Sequence, residues 1–241
     1  MEALYGIVSQ YAQEKGLKNT QAALPLVRSI MLNAASHPHS LFRNERTHMA
    51  YFRHCLSVCH ILIDLQPPVS AQEEDILLAA AVCHVLPENI RFLDLEEALA
   101  DLDPQVRSTV RLIFREGDGV EGQERAFYEA IEKDKLALLI KLADRGNLVE
   151  QLYTITSARS HRYMYETRTY FLPMCLYAKE QYPELIPTVS VLMEKMRCLL
   201  EVSEILLNRY EAVEAELVTE ILALKEENAA LRRNIRVLSQ D

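Results

Sequence analysis

The chain of 241 residues is long enough to bury a full hydrophobic core, and it fits one domain of ordinary size with an appendage. Its composition is 49% apolar and 25% charged, with only six glycines, which is typical of a globular protein and favours helices over a sheet-rich fold. The formal net charge of −9 gives no overall attraction to nucleic acid or anionic membranes. Any anionic ligand would therefore need a local basic pocket.

The cellular location follows from hydropathy and cysteine content. No apolar run reaches the roughly 20 residues of a transmembrane helix, and the first residues lack a signal-peptide pattern. Five cysteines, odd in number and set among apolar residues, predict reduced thiols rather than a disulfide framework. We therefore expect a cytoplasmic protein without a membrane partner.

Apolar residues recur with helical periodicity along nearly the whole chain, and this predicts an all-α fold. The predicted helices cover residues 2–15, 20–36, 47–65, 71–85, 94–100, 104–115, 123–132, 134–157, two segments from 162 to Pro183, and 188–240. The pattern divides the chain into a helical domain over residues 1–200 and a C-terminal coiled-coil helix over residues 201–241.

Three side chains with metal-binding chemistry lie on three different predicted helices. His54, His84 and Asp144 each sit inside an apolar stretch, and helical bundles build metal sites from facing helices in this way. Histidine and aspartate are the ligand types of Mn, Fe or Zn hydrolytic centres. Each residue also has an ordinary explanation: a histidine hydrogen-bonded in the core, or an ion pair between Asp144 and Arg145.

The order of these motifs is similar to that of a known family. His54, then CHVLPEN at 83–89, then IKLADRGN at 140–147 resembles the HD-type hydrolase domain of the RelA/SpoT alarmone enzymes, over roughly residues 20–200. The resemblance implies an HD-type helical domain that holds one Mn²⁺ and removes a 3′-pyrophosphate from a guanosine nucleotide.

Carried over residue by residue, the resemblance makes His54, His84 and Asp144 metal ligands. It makes Glu88 the first acidic catalytic residue, and it implies a cofactor-binding role for Asn147, displaced by one position from the family's pattern.

The chain departs from this family at two positions that carry chemistry. Val85 stands where the family has a ligand aspartate, and Asn89 stands where it has the second catalytic acid. Valine offers no lone pair to a metal, and an asparagine cannot take a proton from water, which removes a contribution of about 10²–10⁴ in rate. We therefore expect weak Mn²⁺ binding at most, and a catalytically impaired module for nucleotide sensing or protein interaction. The alternative is an active Mn-dependent phosphohydrolase acting on a guanosine polyphosphate or related nucleotide.

Two basic clusters are candidates for binding the phosphates of such a ligand. Arg43 and Arg46 precede His54 at about the distance at which the family places nucleotide-binding cations, although the RNER segment also reads as a solvated loop. Arg159 and Arg162, with His161 between them, are equally compatible with surface ion pairs.

The last predicted helix carries a heptad pattern. Leucine recurs every seven residues, and the alternate core positions hold isoleucine, asparagine and isoleucine; the residues are Leu217, Ile221, Leu224, Asn228, Leu231, Ile235 and Leu238. This pattern favours a parallel two-stranded coil, with Asn228 setting the register, and predicts a homodimer. The alternative is an amphipathic helix that packs on its own domain. The acidic segment before the repeat argues against a DNA-binding zipper.

Overall fold

The computed structural model describes residues 1–35, 48–90, 93–114, 123–152 and 155–238. Within these ranges the chain contains no β-strand, which confirms the all-α prediction. The helices are α1 (Glu2–Lys15), α2 (Lys18–Ala35), α3 (His48–Leu65), α4 (Ala71–Cys83), α5 (Val85–Asn89), α6 (Leu95–Ala98), α7 (Pro104–Ile113), α8 (Gln123–Glu132), α9 (Lys135–Val149), α10 (Ser157–Glu166), α11 (Leu172–Gln181) and α12 (Ile186–Leu238). A π-helical turn (Thr167–Phe171) joins α10 to α11, and a 3₁₀ turn (Pro183–Leu185) precedes α12.

Helices α3, α4 and α9 pack against one another in the middle of the domain. Every residue of α4 from Ile76 to Cys83 is buried, and α9 is buried along almost its whole length. Helices α2 and α7 cover α4, and α12 covers α9. Elements with apolar residues all round belong in the interior, which explains why α4 and α9 are central.

Side-chain caps fix where these central helices begin. Ser70 and Glu73 form a reciprocal capping box at the start of α4, and the Asp134 carboxylate accepts two backbone N–H groups at the start of α9. The carboxylate of Asp75, one turn into α4, accepts the backbone N–H of Thr20 at 2.9 Å. This bond ties the first turn of α2 to α4.

Several predicted helices end earlier than the periodicity suggested, and those over 94–100 and 104–115 end at Ala98 and Ile113. The helix predicted over 71–85 stops at Cys83, because Pro87 has no N–H to donate to the Cys83 carbonyl and its ring crowds that group. The helix predicted over 134–157 stops at Val149, and Thr156 is extended (φ −64°, ψ 146°) as the residue before α10.

The two helices predicted from residue 162 form one continuous unit that starts five residues earlier, at Ser157. Its middle is the π-helical turn, where the N–H of Leu172 donates to the carbonyl of Thr167. Pro173 follows at once and lacks an amide proton, so a regular helical hydrogen bond cannot form there.

Among the described residues, helix α12 contacts the domain in its first half. The positions that it buries there share one face and end at Leu207; they are Thr188, Val189, Leu192, Met196, Leu200, Ser203 and Leu207. From Ala212 to Leu231 the residues are exposed, apart from a half-buried alanine. The alternative in which the heptad segment packs on its own domain is therefore wrong for these residues. Among the described helices, none combines the length and the apolar character that a membrane span requires.

Candidate metal centre

The three mutually packed helices bring the three predicted ligands together. His54 lies in the middle of α3, His84 lies at the junction of α4 and α5, and Asp144 lies on α9. One ligand atom from each side chain falls within 4.8 Å of the other two. Among the described residues, this is the one cluster of at least three histidine, cysteine or acidic side chains that converges in this way.

His54 and Asp144 are in direct contact, and the His84 ring packs against the His54 ring. His54 Nε2 is 2.9 Å from Asp144 Oδ1, and the rings of His54 and His84 meet edge-on with centroids 5.4 Å apart. His84 is 1% exposed, whereas the side chains of His54 and Asp144 are 21% and 18% exposed. The cluster is therefore closed on the His84 side and reaches solvent beside His54 and Asp144.

Both imidazoles are oriented through Nδ1. His84 Nδ1 donates to the backbone carbonyl of Ala81 at 2.6 Å, and His54 Nδ1 is 2.8 Å from Asn147 Oδ1. Metal-binding histidines commonly use one ring nitrogen in this way, so that the other presents its lone pair to the ion. The structure thus places Asn147 beside His54 Nδ1, where it orients the ring of a candidate ligand.

Lys141 is a member of the centre that the sequence analysis missed. It is 9% exposed, and its Nζ lies 3.2 Å from Asp144 Oδ2. Burial on its own would raise the pKa of the Asp144 carboxyl, but the charge of Lys141, the hydrogen bond from His54 and the charges of His54 and His84 outweigh it. The pKa of Asp144 therefore lies well below its usual value, and the group is a carboxylate.

The alternative ion pair between Asp144 and Arg145 does not form. Arg145 points away from Asp144, and its guanidinium donates to Glu166 Oε2 at 2.8 Å and lies 4.1 Å from the centre of the Phe171 ring. Among the described residues, Lys141 and the histidines balance the charge of Asp144.

The position that departs from the family's pattern lies deep inside the domain. Val85, the first residue of α5, is fully buried and has no side-chain atom that can bind a metal. Glu88 and Asn89 belong to the same short helix, and their side chains fall outside the described part of the structure. The catalytic roles inferred for these two residues stay predictions.

The structure describes only one of the two basic clusters. Arg43 and Arg46 lie outside the described residues, so their nucleotide-binding role stays a prediction. The second cluster is engaged at the surface: His161 contacts Glu211 at 2.9 Å, Arg162 lies 3.7 Å from a carboxylate on its own helix, and Arg159 donates to a tyrosine hydroxyl. The contacts of this cluster therefore agree with the alternative interpretation, in which its side chains interact with other surface residues.

No protein-family model matches this chain, and no curated protein matches it.

Proposed function

We propose that this chain is a catalytically impaired relative of the HD-type alarmone hydrolases, a pseudoenzyme that binds a divalent cation weakly and senses a phosphorylated nucleotide. The observation that carries the proposal is the convergence of His54, His84 and Asp144 from three helices beside a fully buried Val85. The cation-binding residues are retained, and the fourth ligand is lost.

The spacing of the donor atoms supports cation binding. Two atoms that are each roughly 2.1 Å from a metal lie roughly 3.0–3.4 Å apart in octahedral or tetrahedral geometry. His54 Nε2 and Asp144 Oδ1 are 2.9 Å apart, and the largest separation in the set is no more than 4.8 Å. A contraction of the order of 1 Å on the His84 side would complete a three-ligand site.

The charge of the centre explains why the binding is weak. Two neutral imidazoles and one carboxylate leave a divalent ion with a net positive charge, and the Lys141 ammonium adds another positive charge 3.2 Å from the same carboxylate. A carboxylate at position 85 would reduce this excess, but Val85 cannot. Because an ion must also displace any proton on His54 Nε2, binding falls further as the pH is lowered.

The loss of carboxylates bears on catalysis as well as on binding. A metal-bound water needs a nearby base, and Asn89 cannot accept a proton at neutral pH. The combination of a weakly held ion and a missing base favours sensing over turnover. In the family that the chain resembles, the ligand would be a guanosine polyphosphate, with Arg43 and Arg46 as the residues that bind its phosphates.

The first experiment measures cation binding by calorimetry with MnCl₂ on the metal-free protein. We expect one weak site that Asp144→Asn abolishes and that the control Asp64→Asn retains, since Asp64 is exposed on α3 and pairs with His60. If no saturable binding occurs at millimolar Mn²⁺, or if Asp144→Asn binds like the parent, the cation-binding proposal is wrong.

The second experiment addresses the nucleotide. Melting temperatures are recorded with guanosine and adenosine polyphosphates, with and without Mn²⁺, together with phosphate release. We expect guanosine tetraphosphate to raise the melting temperature without turnover, and Arg43→Gln with Arg46→Gln to remove the shift. A flat response to every nucleotide contradicts the sensing role, and metal-dependent phosphate release makes the chain an active hydrolase instead.

A further inference from the structure

The exposed half of α12 carries an apolar surface that no described part of the domain covers. Its heptad core positions are about half exposed, at 53% for Leu217, 49% for Ile221, 56% for Leu224 and 54% for Leu231. From Ala212 to Leu238 the helix is roughly 40 Å long at 1.5 Å per residue. Helices of this length with a continuous apolar stripe are stabilised by packing against a partner.

A shallow groove lies on this face of the helix. Its lining residues are Ile221, Leu224, Lys225, Asn228, Ala229 and Arg232. In a coiled coil, a leucine of the facing helix packs among residues like Ile221, Leu224 and Asn228, and acidic residues beside that leucine pair with cations like Lys225.

The charged residues beside the apolar stripe indicate which partner helix binds to it. With leucine at d, Glu220 and Glu227 occupy g positions, and Lys225 and Arg232 occupy e positions. None of these four residues has an oppositely charged residue three or four positions away in its own helix, so none has a favourable intrahelical ion pair. In a parallel coil each g residue faces the e residue five positions further along the other chain. Glu220 then meets Lys225, and Glu227 meets Arg232.

We infer that the exposed half of α12 is the binding surface for a second copy of this chain, in a parallel, in-register, two-stranded coiled coil over residues 217–238. The pattern is self-complementary, since each chain supplies both the acids and the bases. An antiparallel pair would place g opposite g and e opposite e, and thus acid against acid and base against base. Parallel pairing places both domains at the same end of the coil.

The test of self-association uses charge reversal in the full chain. Dissociation constants come from sedimentation equilibrium for the parent, for Glu220→Lys/Glu227→Lys, and for Lys225→Glu/Arg232→Glu. Each variant turns four attractive contacts per dimer into repulsive ones, so its dissociation constant should rise at least about tenfold. An equimolar mixture of the two variants should recover the dimer.

The matched control for the acid reversal is Glu216→Lys/Glu226→Lys, which changes the net charge equally on the outer face of the coil. It should dimerise like the parent. If the parent is monomeric at micromolar concentration, or if the control loses the dimer as fully as the interface variants, the inferred surface is wrong.

The orientation is tested by cysteine cross-linking in a Cys198→Ser background, since Cys198 is the one exposed native thiol. Leu217→Cys should give a covalent dimer under mild oxidation, because the two d positions face each other in a parallel pair. Leu222→Cys, on the outer face, should not. A dimer that cross-links at neither site, or only through Leu222→Cys, overturns the parallel arrangement.

Discussion

Val85→Asp adds a carboxylate at the position where the family that the chain resembles has a metal ligand, and its effect on stability should depend on metal. Val85 is fully buried at the start of α5, directly after His84. Lys141, the lysine of the centre, already pairs with Asp144. Without a cation, a second carboxylate here is a buried and poorly balanced charge.

The magnitude follows from the cost of an uncompensated buried charge, about 3–5 kcal/mol. For a chain of this size each kcal/mol corresponds to a change of about 2–4 °C in melting temperature. In the presence of a chelator, Val85→Asp should therefore melt about 6–20 °C below the parent. A site with four ligands should then bind Mn²⁺. At a free Mn²⁺ concentration of 100 times the dissociation constant, binding stabilises the folded protein by about 2.7 kcal/mol, which raises the melting temperature by about 5–11 °C.

The assay is differential scanning calorimetry with EDTA and with MnCl₂. Val85→Asn is the matched control, because the asparagine side chain has the shape of aspartate without its charge. This variant should respond to Mn²⁺ like the parent. Adding Asp144→Asn to Val85→Asp should remove the rescue. A Val85→Asp protein whose melting temperature is the same in EDTA and Mn²⁺ would refute the assignment of position 85 to the metal centre.

Three further changes probe the ion pairs around the core. Lys141→Met removes the ammonium beside the centre and should tighten Mn²⁺ binding at least about tenfold by calorimetry, because a neighbouring positive charge repels the ion; unchanged affinity would argue against this role. Arg145→Met leaves the largely buried Glu166 without its main partner and should lower the free energy of unfolding in urea by about 2–3 kcal/mol, most of which the additional change Glu166→Met should restore. Hydrogen bonds from Lys135 and from the chain lower the pKa of Glu73 from 4.5 to about 2, so its stabilisation is present above pH 4.5 and is lost as the pH falls towards 2. Glu73→Gln should therefore cost about 1 kcal/mol at neutral pH, after allowance for solvent screening, and should reduce the acid sensitivity of the melting temperature in that window.

The helical fold could be predicted because its signals are local. Apolar periodicity located most helices within two residues of their observed ends, and the early end of α4 at Cys83 had a visible cause in Pro87. Thr156 likewise marked the start of α10. The largest error, in the helix predicted over 134–157, arose because the apolar pattern was followed past Thr156, the residue before α10.

The centre was only partly predictable, because its finer contacts depend on how distant helices face one another. Lys141 lies three residues before Asp144, which places it on the same face of α9, but only packing against α3 buries it there. Asn147 lies three residues after Asp144, and its contact with His54 spans 93 positions. No spacing rule within one helix predicts a contact over that distance.

A polar centre can persist in this core without a full set of metal ligands, because the domain supplies its own charge balance. Asp144 is a carboxylate with Lys141 on one oxygen and His54 on the other, and Asn147 holds the far side of the imidazole. Each of these groups meets an oppositely polarised neighbour, so much of the cost of burial is offset before any cation binds. Val85 adds no negative charge to this buried centre, whereas an aspartate there would need a cation to balance it. Under the proposed function, Val85 and Lys141 therefore act in the same direction: both favour the folded domain without metal, and both reduce the affinity expected for the ion.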